Sequence, residues 1–173
     1  DLGEVIDDAI TATQTQFLEK GITLRLNLPD SLPIINGDRS ALQQVLIELL
    51  SNAYRASPND GEVVIAARHE RAFMPPAVNG TPAKPSEMIV ISVRDFGGGV
   101  PPEEQARVFS RMFRADTPLV AGLGDTGVGL SIARALTEAH HGHLWFESER
   151  GTSSTFTMAL PVQQSKVVEP HAS

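Results

Sequence analysis

The order of helical and strand-like segments predicts an α+β fold: a two-layer α/β sandwich whose mixed, mostly antiparallel sheet carries helices on one face. Three observations predict it. Apolar residues recur at helical spacing in three separate segments. Between them lie runs that alternate apolar and polar, as strands with one buried face do. Several of these runs come in pairs joined by turn residues, which favours antiparallel neighbours. The 173 residues suffice for one domain with a real core, and the 41% hydrophobic content is ordinary for a folded chain. A net charge of -7 argues against non-specific binding to nucleic acid or to an anionic membrane. There is no cysteine, hence no disulfide framework and no thiolate metal site. The chain begins at Asp1, and we expect it to be cut from a longer protein.

Leu2, Val5, Ile6, Ala9, Ile10, Thr13, Phe17 and Leu18 have helical spacing, and Gly21 closes that helix. Ile22 to Leu28 alternates as a strand, with Ile22, Leu24, Leu26 and Leu28 on one face. Ile34-Ile35 is expected to form a short extended piece. A second helix starts near Asp38 or Ser40, where Ser40-x-x-Gln43 reads as a capping box, and runs to about Ala56. It has two faces. Leu42, Val45, Leu46, Leu49, Leu50 and Ala53 form an apolar stripe, while Gln44, Glu48, Asn52 and Arg55 form a polar row. Such a row, taken alone, reads as a solvated surface.

Glu62 to His69 is a clear strand, and Met88 to Arg94 another. The proline-rich stretch between them predicts an exposed hairpin loop over about 72–87. Ile89, Ile91 and Val93 share a face, and Asp95 is next on it. The core-facing row therefore ends in a carboxylate that needs a donor. Asp95-Phe-Gly-Gly-Gly99 follows, and its glycines let the chain turn and a ligand approach. Pro101-Pro-Glu-Glu opens a short helix running to about Phe109. Residues 110–128 are glycine-rich and aperiodic, as expected of a lid. Leu130 to Ala139 is helical, then Leu144–Ser148 and Thr155–Leu160 form a closing hairpin. Residues 163–173 make a polar tail beyond a domain of residues 1–162.

Four signals thus stand in order: Glu48-Leu-Leu-Ser-Asn-Ala53, Asp95-Phe-Gly-Gly-Gly99, Gly124-Asp-Thr-Gly-Val-Gly-Leu130 opening a helix, and Gly151-Thr-Ser-Ser-Thr-Phe156 before the last strand. From Leu2 to about Val162 the chain resembles the catalytic ATP-binding domain of sensor histidine kinases, a branch of the superfamily with the Bergerat fold. The resemblance implies ATP and Mg2+ as ligands. It implies that Asn52 binds the metal, that Arg55 and the lid residue Arg114 touch phosphates, and that Asp95 binds the adenine amine. Gly97 and Gly99 would leave room for the base. Gly127, Val128, Gly129 and Leu130 would offer backbone amides to phosphate at a helix start, and Thr155 would help bind the adenine edge. Phe109 and Phe113 resemble the phenylalanine box beside the lid.

Four residues depart from the family pattern: Phe96, Asp125, Ser153 and Ala56, the last standing where an aromatic often covers the nucleotide. Glu48 replaces a common asparagine. In the gyrase and chaperone branch that position activates water, so Glu48 is open to three roles: metal ligand through water, base, or edge of the site. Asp95-Phe-Gly97 also spells a motif of eukaryotic-type protein kinases, but the accompanying glycine-rich loop, lysine and His-Arg-Asp loop are absent. His140, His141 and His143 lie where a helix ends and a strand begins, which favours capping and packing over a metal site.

The expected function is phosphoryl transfer to a histidine on a separate dimerisation domain, then onward to a response regulator receiver domain. The parent protein is expected to be homodimeric, with this domain in the cytoplasm, membrane anchorage of the parent left open, and no nucleic acid as partner. The alternatives are an ATPase or serine-kinase branch of the superfamily, and a regulatory nucleotide-binding module.

Overall fold

The computed structural model describes residues 1–76, 84–109 and 128–162. Helix α1 (Leu2–Glu19) is capped by Asp1, whose carboxylate accepts from the Gly3 N–H. It ends where Gly21 takes the left-handed conformation, φ 69°. Strand β1 (Thr23–Asn27) follows. Helix α2 (Arg39–Ala56) starts at Asp38, whose side chain accepts from the Ala41 N–H at 3.0 Å. The cap is therefore Asp38 rather than the Ser40 box: a carboxylate placed one residue before the helix already satisfies the first-turn donor. Ile34-Ile35 is not a strand, and Ile34 is exposed.

Strands β2 (Glu62–Phe73) and β3 (Ser86–Asp95) pair antiparallel and extend into both ends of the stretch expected as a loop; residues 77–83 lie outside the described residues. Helix α3 (Pro102–Gln105) is a single turn, with hydrogen-bonded turns carrying the chain on to Phe109. Helix α4 (Gly129–Ala139) leads to β4 (His143–Glu149) and β5 (Ser153–Pro161), the closing hairpin.

The sheet order is β1-β2-β3-β5-β4. Every pairing is antiparallel except β1 with β2. That pair is parallel because α2 forms the crossover between its strands, a connection that the sheet requires for parallel neighbours. The apolar stripes of α1 and α2, with Ala133 of α4, meet one sheet face in a single core that includes Phe17, Leu46, Leu49, Ile65, Ile89, Ile91, Val93, Phe156 and Met158. Leu18 and Leu26, read as parts of apolar rows, are exposed instead. A small second cluster of Met88, Val90 and Ala159, with Phe73 stacked on Trp145, occupies the sheet's other face. The lid over 110–127 and the tail over 163–173 lie outside the described residues, with Arg114, Phe113, Asp125 and Gly127 among them.

His140 joins two helices of the core layer. With one ring nitrogen it meets the Leu136 carbonyl at 2.7 Å, and with Nε2 it accepts from the Asp38 N–H at 2.9 Å. The α4 terminus is thus tied to the start of α2, the packing role expected of this histidine. Among the described residues no cluster of His, Cys, Asp or Glu could hold a metal ion by itself. No helix there is long and apolar enough to cross a membrane.

Candidate nucleotide site

The polar row of α2 runs along the junction between its two neighbours in this site. Near the helix C-terminus, Gly97 packs against Ala56 so closely that a Cβ would overlap the Ala56 carbonyl oxygen. Two turns earlier, Gly129 at the start of α4 packs against the Glu48 carboxylate just as closely. Glu48 and Ala56 are eight residues apart, about 12 Å along a helix axis. That separation matches the scale of an extended nucleoside triphosphate, with the Asp95 turn at one end and the α4 N-terminus at the other. Asn52 and Arg55, both half-buried, lie on the stretch of α2 between them.

Asp95 ends β3 and is 1% exposed. Burial pushes its carboxyl up from 3.8 to about 6, against the Gly97 N–H, which donates to it at 3.0 Å and favours the charged form. A carboxylate buried on backbone donors alone retains acceptor capacity for a ligand N–H. The turn after it is held on its far side. Gly98 and Gly99 have φ of 92° and 70°. The Gly98 carbonyl accepts from the Gly151 N–H at 2.7 Å, and Val100 N–H donates to Ser148 Oγ at 2.7 Å. A Cβ on Gly99 would overlap the Glu149 carbonyl. Gly97 and Gly99 thus make close backbone approaches to Ala56 and Glu149. Their missing side chains seat the turn against α2 and against the β4–β5 turn.

Strand register separates Thr155 from Asp95. Asp95 lies directly opposite Ser154, and Ser154 directly opposite Ser148. Directly paired residues project to the same face, so these three form a polar row across β3, β5 and β4. Ser154 is 5% exposed, and its hydroxyl is 3.2 Å from that of Ser148. Thr155 pairs with Arg94 and Glu147 and so projects from the opposite face. There Arg94 also donates to Ser153 Oγ at 3.0 Å and lies over the Phe96 ring. Thr155 is thus not beside Asp95; Ser154 is. Sequence reasoning missed Ser154 because the motif offers two adjacent hydroxyls, and only pairing with β3 tells their faces apart.

Among the described residues, the start of α4 has no side-chain cap. Its first-turn amides and positive dipole end are suited to an anion. Val128, Gly129 and Leu130 form that end, as expected, while Gly127 falls outside the described residues. Phe109 packs edge-on against Phe156 with Arg134 above its ring, so it belongs to the wall beside α4. The donor set for a hard cation is present on α2. Glu48 offers a carboxylate and Asn52, one turn on, an amide oxygen that no hydrogen bond engages among the described residues.

The family described as histidine kinase-, DNA gyrase B-, and HSP90-like ATPase matches residues 37–164. The chain is 31% identical over 166 residues to the adaptive-response sensory kinase SasA of Synechococcus sp. (strain CC9311), covering 96% of this chain and 39% of that protein. It is 33% identical over 162 residues to the sensor histidine kinase WalK of Bacillus subtilis (strain 168), covering 94% of this chain and 24% of that one. The chain thus spans well under half the length of these relatives. Among solved structures, the nucleotide-free catalytic domain of histidine kinase ThkA superposes with a TM-score of 0.73 at 23% identity, covering 94% of this chain and 93% of that one. Full-length ShkA in complex with AMPPNP superposes with a TM-score of 0.73 at 25% identity, covering 95% of this chain and 31% of that one.

Proposed function

The chain belongs to the histidine kinase-, DNA gyrase B-, and HSP90-like ATPase family, and we propose that it is the ATP-binding catalytic part of a sensor histidine kinase. In this reading it passes the γ-phosphoryl group of ATP to a histidine on a separate dimerisation domain. The observation that carries it is Asp95: a carboxylate buried at the end of a core-facing row, held by backbone N–H groups, with acceptor capacity for an exocyclic amine. The α2 polar row and the uncapped α4 start lie along the line a triphosphate would take from that base.

Asp95 accepts from the adenine amine, and Ser154 adds a hydroxyl on the same face. Arg55 and Arg114 meet phosphate oxygens, and the α4 amides at Val128 to Leu130 meet others. Magnesium, when bound, would be held by Asn52 and Glu48 and would neutralise phosphate charge. The protein's own contribution is positioning and charge complementarity, which together account for most of the catalysis of phosphoryl transfer. The bond from the γ-phosphorus to the ADP oxygen breaks, and one to an imidazole nitrogen of the acceptor forms.

The remaining partners follow the same reading: a response regulator receiver domain takes the phosphoryl group onward, and the parent is a homodimer with this domain in the cytoplasm. SasA and WalK are both described as kinases of the sensory type, which supports it. One observation favours a second reading. Glu48, at the phosphate end, is the residue an ATPase branch would use as base. Radiolabelled ATP tests the choice. We expect no acid-labile label on this chain alone, label on a supplied dimerisation domain, and negligible steady hydrolysis. Label on this chain itself would refute the separate acceptor, and rapid hydrolysis without an acceptor would favour the ATPase branch over the transferase reading.

A further inference from the structure

Phe96 and Ser153, two of the residues that depart from the family pattern, meet at a single side chain. Arg94, one residue before Asp95, donates to Ser153 Oγ from Nη2 at 3.0 Å and from Nε at 3.3 Å. Its guanidinium carbon lies 4.9 Å from the centre of the Phe96 ring. The two chain neighbours of the buried carboxylate are thereby joined to each other and to Ser153, which is buried at the start of β5. The Ser153 carbonyl accepts from Ser148 Oγ at 3.2 Å, and that hydroxyl receives the Val100 N–H at 2.7 Å. Ser153 thus gathers the entry to the Asp95–Val100 turn through its side chain and the exit through its carbonyl. A glycine at this position could supply only the second.

We propose that Arg94, Phe96 and Ser153 are positioning residues that clamp Asp95, from the sheet face opposite the core, in the place where it meets the base. The proposal rests on the reading of Asp95 as the acceptor of the adenine amine. The Asp95 carboxylate is held by backbone N–H groups of its own turn, Gly97 among them, so it goes where the turn goes. The guanidinium suits the task because its flat face stacks on a ring while its edge donates hydrogen bonds. Fixing the turn before the ligand arrives removes an ordering cost from binding.

Calorimetry in magnesium with ATP and with purine riboside triphosphate, which lacks only the exocyclic amine, tests the proposal. The wild type should prefer ATP. Arg94→Ala should reduce that preference about fivefold, the scale of one hydrogen bond, by weakening ATP alone. Ser153→Ala and Phe96→Leu should each reduce it in the same direction. Neither should add to Arg94→Ala, because both act through that side chain. Ser153→Thr, which keeps a hydroxyl, should retain the wild-type preference. If Arg94→Ala fails to fold, as judged by circular dichroism, the double variant of Ser153→Ala and Phe96→Leu takes its place. A general disturbance of packing weakens both ligands alike. That outcome, or an unchanged preference, overturns the proposal while leaving the site intact. A folded wild type that binds the two equally overturns Asp95 as acceptor, and one that binds neither overturns the nucleotide reading; the proposal falls with either.

Discussion

Ser154 stands directly across the β3–β5 ladder from Asp95, while its neighbour Thr155 stands across from Arg94. Ser154 and Asp95 therefore share the core face of the sheet, and both are buried. A hydroxyl beside a carboxylate can donate to one acceptor and accept from another, which suits a purine edge carrying both.

Ser154→Ala should weaken ATP binding by about 1 kcal/mol, the net worth of one neutral hydrogen bond. Thr155→Val should leave it within a few tenths of that. Parallel calorimetric titrations of the two variants check this, and equal losses would show that both hydroxyls reach the base.

The Asp95→Asn variant should be more stable than the wild type at pH 7 and bind ATP less well. Burial raises the folded carboxyl from 3.8 to about 6. Between those values a rising pH removes the proton from the unfolded chain first, so wild-type stability falls through that window and stays low above it. The difference is on the order of 3 kcal/mol at pH 7 and vanishes below about pH 4. Urea unfolding of both forms across pH 3.5 to 7.5 measures it, and curves that stay parallel would place Asp95 in contact with water.

Nucleotide affinity should follow the same ionisation in the opposite sense. The adenine amine requires an acceptor, so ATP binding should weaken as pH falls below about 6 and Asp95 takes up its proton. The Asp95→Asn form should lack this inflection when both are titrated with adenosine, whose phosphate-free structure isolates the base. An inflection that persists in the variant would assign it to another group.

Gly97→Ala should destabilise the domain by about 2 kcal/mol or more, because its methyl meets the backbone carbonyl of Ala56, which cannot move without unwinding the end of α2. Gly98→Ala meets nothing within 4 Å but must hold φ near 92°. Its cost should be nearer 1 kcal/mol, that of a left-handed backbone alone. Thermal unfolding ranks the two. A smaller effect at Gly97 than at Gly98 would mean the turn does not bear on α2 as described.

Loss of the His140 side chain should loosen α4 from α2. His140→Ala removes the acceptor of the Asp38 N–H and a contact to the Leu136 carbonyl. About 1 to 2 kcal/mol of stability should be lost in denaturant unfolding. Amide exchange at Asp38 should quicken more than exchange in the sheet, and uniform quickening would argue against a local tie.

Much of this protein follows from local pattern. The two faces of α2, the strand ending in a buried Asp95, the closing hairpin and the helix layer are all legible in the sequence, because a side chain's face follows from the period of its own element. Glu48, Asn52 and Arg55 accordingly lie on the helix, and Asp95 at the end of the strand, that the periodicity predicts. The tertiary structure decided matters that depend on two elements meeting. Ser154 rather than Thr155 faces Asp95 because register is a relation between strands, and a shift of one residue exchanges every face. Gly97, Gly99 and Gly129 serve close approaches by Ala56, Glu149 and Glu48, and nothing local to a glycine says what will come near it. Strand β1 is parallel to β2 because α2 carries the chain back across the sheet between them. Periodicity determines which way each segment faces; only packing determines what it faces.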